Sequence, residues 1–161
     1  MIAVNAKPDR PDTKRVLTSF LIAKSSRPFE WGRDDCSLML ADWWLRVHGT
    51  DPADWLRGAY GTAEQKDAVL LQHRGLQRLV TRIAREAGAM RTASPNTGDF
   101  GLIAVGGRPY GAICTGRVTG KACWAARSET GVTFLTNPRI LRAWSIHDVV
   151  PLAPATVGGA D

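Results

Sequence analysis

At Gly98 the apolar residues of this chain stop recurring every three or four positions and begin to fall in short runs between glycines. Such a switch in period argues for an α+β fold with the helices first and the strands after them. Before the switch, "PDTKRVLTSFLIAKSS" spaces Val16, Phe20, Leu21 and Ala23 as one face of a helix, with Asp12 or Thr13 as its N-cap. A second helix is expected to open at Asp34 or Asp35, run to Val47 and stop at Gly49. "TDPADWLRG" restarts with Thr50 or Asp51 as a cap, and "TAEQ" is a capping-box pattern for a helix reaching about Gln72. Beyond Gly75, "LQRLVTRIAREA" places Leu76, Leu79, Val80, Ile83 and Ala87 on one face. After Gly98, "GDFGLIAV", "PYGAICTG", "KACWAA" and "GVTFL" read as an antiparallel meander of four to six strands. "ILRAWSI" fits a strand or a short helix, and the pattern does not decide between them.

With 161 residues, the chain suffices for one domain with a proper core. No apolar run approaches the roughly 18 residues of a membrane span, and the first residues hold no apolar stretch of signal-peptide length. The expectation is a chain made and kept in a cytoplasm. Three cysteines without repeated spacing, and no CxxC pair, speak against a disulfide framework or a metal site, and no cofactor is expected. Cys114 and Cys123 fall in predicted strands; buried thiols are the simple outcome, a disulfide or metal pair the alternative. The net charge of +6 invites a polyanion, yet Arg74, Arg78, Arg82 and Arg85 form the one helix-spaced basic stripe, and no specific nucleic-acid motif accompanies it. Trp43 and Trp44 are adjacent and point in different directions around their helix, leaving one of them to face a partner.

The densest chemistry lies in "RPFEWGRDDCSLMLADWWLRVHG". A thiol attacks as thiolate, and its pKa is lowered at a helix N-terminus by free amides and the macrodipole. Cys36, directly after a capping aspartate, has that setting; a buried cysteine as small core filler is the competing reading. "PFEWG" followed by "DCS" at the head of an apolar helix resembles the NlpC-type, papain-like cysteine peptidases, which cleave peptidoglycan peptides. The resemblance covers residues 28–146 and is most specific at Trp31, Gly32, Asp35, Cys36 and Ser37. It implies an NlpC/papain-like fold, with the Cys36 helix packed on an antiparallel meander, and makes Cys36 the nucleophile position. It also sets Tyr110 where the superfamily has its histidine, Ala125 at the second polar partner, and Phe29 in place of a tyrosine. Tyr110 and Ala125 are expected to face Cys36 from the sheet.

A cysteine nucleophile needs a base beside it and a group to orient that base. His48 lies twelve residues down the same helix, about 18 Å away; His73 reads as a surface side chain, and the sequence leaves His147 open. The "ADWW…GTDPADWLRGAYGT" continuation resembles a divergent branch of the superfamily found near bacteriophage tail genes. The resemblance implies a structural, non-catalytic part of a virion tail tip, assembled in a host cytoplasm among neighbouring tail proteins. Two other functions stay open. One is a peptidoglycan endopeptidase or amidase using Cys36; the other is a non-catalytic binder of cell wall or another polyanion. The organisation expected is a first segment and helix over residues 1–27, the NlpC-like domain over 28–148, and a tail over 149–161. "MIAVNA" and "VPLAPATV" are expected to make contacts with partners.

Overall fold

A computed structural model describes residues 11–151, and the two terminal segments expected to contact partners lie mostly outside them. Four helices precede the sheet: α1 (Pro11–Ser25), α2 (Cys36–His48), α3 (Ala63–Gln72) and α4 (Leu76–Ala87). The first begins a residue earlier than its expected cap, so Asp12 and Thr13 lie inside its first turn. Proline at a helix start loses no hydrogen bond, which lets Pro11 open it. α2 starts and stops where the sequence indicates, with Asp35 as N-cap and Gly49 in the left-handed conformation after it. Thr62 caps α3 by accepting from Gln65 N, while the Gln65 amide oxygen accepts from Gly61 N. α4 turns Leu76, Leu79, Val80 and Ala84 inward and carries exposed Arg78, Arg82 and Arg85 outward.

Six antiparallel strands follow, in the order β1-β6-β2-β3-β4-β5. β2 (Phe100–Val105), β3 (Arg108–Val118), β4 (Lys121–Ser128) and β5 (Gly131–Thr136) form the expected meander. β6 (Arg139–Val149) resolves the open choice for "ILRAWSI" as a strand and pairs with β2, while the short β1 (Ala89–Arg91) pairs with β6. β1 has no counterpart among the expected strands, because three residues with no alternation carry no strand signal.

The connection from β5 to β6 dictates the shape of the sheet. Three strands separate the two in the sheet order. In a flat sheet they would lie four spacings, roughly 19 Å, apart. Three Cα steps, from Thr136 to Arg139, span at most about 11 Å. The sheet therefore curls round. Its inner face carries Ile103, Ala112, Cys114, Ala122, Trp124, Ala126 and Ala143, a buried cluster to which no helix contributes. Small side chains leave room for the curl, and Trp124 fills it.

The other face, with Phe100, Leu102, Ile113, Ala125, Trp144 and Ile146, packs on Leu17 and Leu21 of α1, Met39, Leu40, Trp43 and Trp44 of α2, and α4. α1 is thus part of the same core as the sheet. α2 comes close to β3 at Gly111, where a Cβ would lie 3.0 Å from the Cys36 carbonyl oxygen and from Leu40. Both Trp43 and Trp44 are buried, at 0% and 5% exposure, so neither faces a partner. α2 is enclosed on most of its circumference, with Trp43 donating to the Gly98 carbonyl at 2.7 Å and Trp44 packed against Phe100 and His48. Among the described residues no helix is long and apolar enough to cross a membrane.

Trp124 and Trp55 make a direct test of where the core lies, since the first is fully buried and the second is 48% exposed. Trp124→Ala should lower unfolding stability in urea by about 3–5 kcal/mol. Trp55→Ala should cost less than about 1 kcal/mol.

Candidate functional site

The site is built on a tight turn. Glu30 and Asp34 bridge each other through their backbones, Glu30 N to Asp34 O at 3.1 Å and Asp34 N to Glu30 O at 2.7 Å. Gly32 sits in the turn at φ 79°, and a Cβ there would collide with the Tyr60 carbonyl oxygen at 1.9 Å. No other residue fits. Asp35 then closes the turn onto the helix. Its buried carboxylate accepts from Gly32 N at 2.9 Å, Ser37 N at 3.1 Å, Leu38 N at 2.9 Å and the Tyr60 hydroxyl at 2.6 Å. Burial and that hydrogen bond push the Tyr60 hydroxyl well above its ordinary pKa.

Cys36 is the first residue of α2 and lines a cleft of about 500 Å³ with Phe29, Trp31, Lys66, Arg108 and Tyr110. The Phe29 and Trp31 rings meet edge to face at 4.7 Å, and Lys66 Nζ stands 5.0 Å over the Trp31 ring while pairing with Asp67 at 3.0 Å. The expected lowering of the thiol pKa does not occur. Burial pushes Cys36 up, the adjacent Asp35 carboxylate adds to it, and the Ser37 hydroxyl and Lys66 offset only part. The reason is local: the amides of the first turn that would favour a thiolate are already bonded to Asp35, whose charge cancels the positive helix end.

None of the three histidines is aimed at the sulfur. His48 bonds the Ile146 carbonyl at 2.6 Å and stacks on Trp44, at the far end of α2. His147 follows Ile146 on β6, at that same end, and its ring meets the Thr13 hydroxyl at 2.8 Å. His73 packs against Trp55. Tyr110 lines the cleft with Cys36 while its ring rests against the inner cluster of the curled sheet. Ala125 is fully buried in the core beneath α2, paired with Ile113. Ser37 Oγ lies 4.0 Å from the Cys36 sulfur. Cys114 and Cys123 are free thiols on neighbouring strands. Cys114 faces the inner cluster, where burial raises its pKa to about 11, and Cys123 contacts Lys121 and Thr136 instead. Among the described residues no group of acidic, cysteine and histidine side chains is placed to hold a metal ion.

A family profile described as a domain of unknown function, DUF6950, matches residues 9–146. The chain belongs to that family. No curated protein and no solved structure matches it. Behind the site of this DUF6950 chain lies an ion-pair network that is not among the features expected from the sequence. Lys24 pairs with Asp34 at 3.2 Å and with Asp42, Arg57 joins Asp42 at 2.7 Å and Asp51 at 2.6 Å, and Arg127 Nε lies 3.4 Å from Asp34. Burial alone would raise the Asp51 carboxyl, but the Arg57 guanidinium and the Ala53 amide hold it below its ordinary range. One signal was available: Lys24 continues the stripe of Leu17 and Leu21 on α1, so a cation stands on a buried face.

The thiol's environment can be read by alkylation. Site-resolved iodoacetamide labelling of Cys36 should follow a midpoint above the roughly 8.5 of a free cysteine. Asp35→Asn should bring that midpoint down, and Lys66→Ala should push it further up. Labelling that is complete at neutral pH would contradict this account.

Proposed function

We propose that this chain is a non-catalytic NlpC-like domain serving as a structural component of a bacteriophage tail tip, where it binds neighbouring tail proteins. The observation that carries the non-catalytic reading is the Cys36 sulfur itself. It is held as a thiol by burial and by Asp35, and His48, His73 and His147 all engage other groups. General-base assistance is typically worth 10²–10⁴-fold, and no histidine among the described residues is placed to supply it to the sulfur. The tail-tip assignment is supported by the resemblance of "ADWW…GTDPADWLRGAYGT" to the phage-associated branch. At the positions where the resemblance calls for a base, its polar partner and a tyrosine, this chain has Tyr110, Ala125 and Phe29.

A second reading, a peptidoglycan endopeptidase or amidase, is favoured by one feature: the cleft remains open beside Cys36 and is rimmed by Lys66 and Arg108. One assay separates the two. Purified protein is incubated with peptidoglycan fragments, and the products are followed by mass spectrometry with Cys36→Ala alongside. The expected result is no cleavage by either protein, and tail assembly and infectivity nearly unchanged by Cys36→Ala. Cleavage that disappears in Cys36→Ala would hand the function to the second reading.

A further inference from the structure

The second basic feature of the molecule is not the α4 stripe. Arg27 follows α1, Arg33 lies in the turn before α2, Arg46 is in the last turn of α2, and Arg57 follows the short 3-10 turn at Asp54–Leu56. Together with Lys24 they line a depression of about 470 Å³, which a single acid, Asp42, also lines. It shares no lining residue with the Cys36 cleft. On α2, Asp42, Leu45 and Arg46 project from the side opposite Cys36 and Ser37, at 100° per residue.

The five cations divide into two groups. Lys24 and Arg57 are fixed by Asp34, Asp42 and Asp51, so they form a rigid floor whose charge is already matched. Arg27, Arg33 and Arg46 are exposed around that floor. Arg33 has a weak partner in Glu30 at 3.7 Å, with both side chains more than half exposed. No side-chain partner of Arg27 or Arg46 occurs among the described residues. Three arginines lining one depression, with little acid to offset them, repel one another unless an anion joins them. Phe20, Ala23 and Leu45 supply apolar walls, which reduce screening by water at the spot where the anion would sit.

The chemistry of the anion follows from the donors and the shape. Guanidinium forks match the paired oxygens of phosphate, and three of them around one depression suit a group with several charges rather than a single one. A polymer backbone wants a track instead, as the exposed Arg78, Arg82 and Arg85 along α4 would offer. We propose that the depression ringed by Arg27, Arg33 and Arg46 binds a compact, multiply charged phosphate compound of the pyrophosphate or terminal-oligophosphate kind. This site is independent of any role for Cys36 or of the tail-tip reading.

The test is calorimetric titration of the full chain with inorganic pyrophosphate, with citrate and a single-stranded oligonucleotide as comparison ligands. Pyrophosphate should bind, with affinity falling as salt rises. Arg46→Gln and Arg27→Glu should each weaken it about tenfold or more, the scale of losing a charge-assisted hydrogen bond. Arg78→Glu, on the solvent face of α4, should leave it unchanged. Circular dichroism and melting temperature establish that each variant is folded, and Arg57 is left intact because it belongs to the ion-pair network. Four results would overturn the proposal: no pyrophosphate binding at millimolar concentration, equal loss in Arg78→Glu, citrate binding as tightly as pyrophosphate, or binding of the oligonucleotide alone.

Discussion

The Asp35 carboxylate ties together the three segments on which the site depends. It takes the Gly32 amide from the turn, the Ser37 and Leu38 amides from the head of α2, and the Tyr60 hydroxyl from the segment leading to α3. Each bond to a charged acceptor contributes about 1.5–3 kcal/mol where both partners are buried. More important is what their loss would strand: a buried phenol and three amides that all bond to this one carboxylate. The Asp35 carboxylate also bears on the chemistry next door, where it adds to the effect of burial. A negative charge one residue before Cys36, fully supplied with donors, makes a second negative charge on the sulfur costly. Burial does most to keep the thiol protonated, and the residue that fixes the helix start adds to it.

That coupling explains why the local reading of the sequence succeeded for structure and failed for the thiol. A capping aspartate, a glycine stop and the change in period at Gly98 are all written in neighbouring letters, and α2, α3, α4 and the meander follow them. The N-cap and the nucleophile setting, however, call on the same few amides, and only one of them can have those amides. The pattern "DC" does not say which. Trp43 and Trp44 carry the same lesson. Helical geometry separates their directions, but burial depends on the sheet beneath α2 and on α1 and α4 beside it, none of which is local.

Tertiary closure accounts for the rest of what the sequence concealed. The curl of the sheet follows from a two-residue link between strands that are not neighbours, which is visible only once the strand order is known. The alanines of the inner face look unremarkable in a line of letters; on a curled sheet they are what allows Trp124 to be enclosed. The ion-pair network likewise draws on α1, the turn, α2, the 3-10 segment and β4. Its members are separated by up to about a hundred positions, as with Lys24 and Arg127. Of the six charges, Lys24 alone betrays itself locally, by its place on a buried stripe.

The network also gives the arginine-rich side of the molecule its form. Buried ion pairs gain little net stability over well-packed apolar groups, but breaking one by removing a partner costs about 3–5 kcal/mol. Lys24, Asp34, Asp42, Asp51 and Arg57 are therefore held in place by one another rather than by what binds outside. Satisfying their charges internally leaves Arg27, Arg33 and Arg46 as the uncompensated part of the local field. A basic side chain on such a fixed floor loses less freedom on meeting an anion than one on a mobile loop, because the surfaces around it are already set. The positive net charge of the chain is thus not spread evenly over a solvated face: part of it is focused where buried acids have organised the ground beneath it.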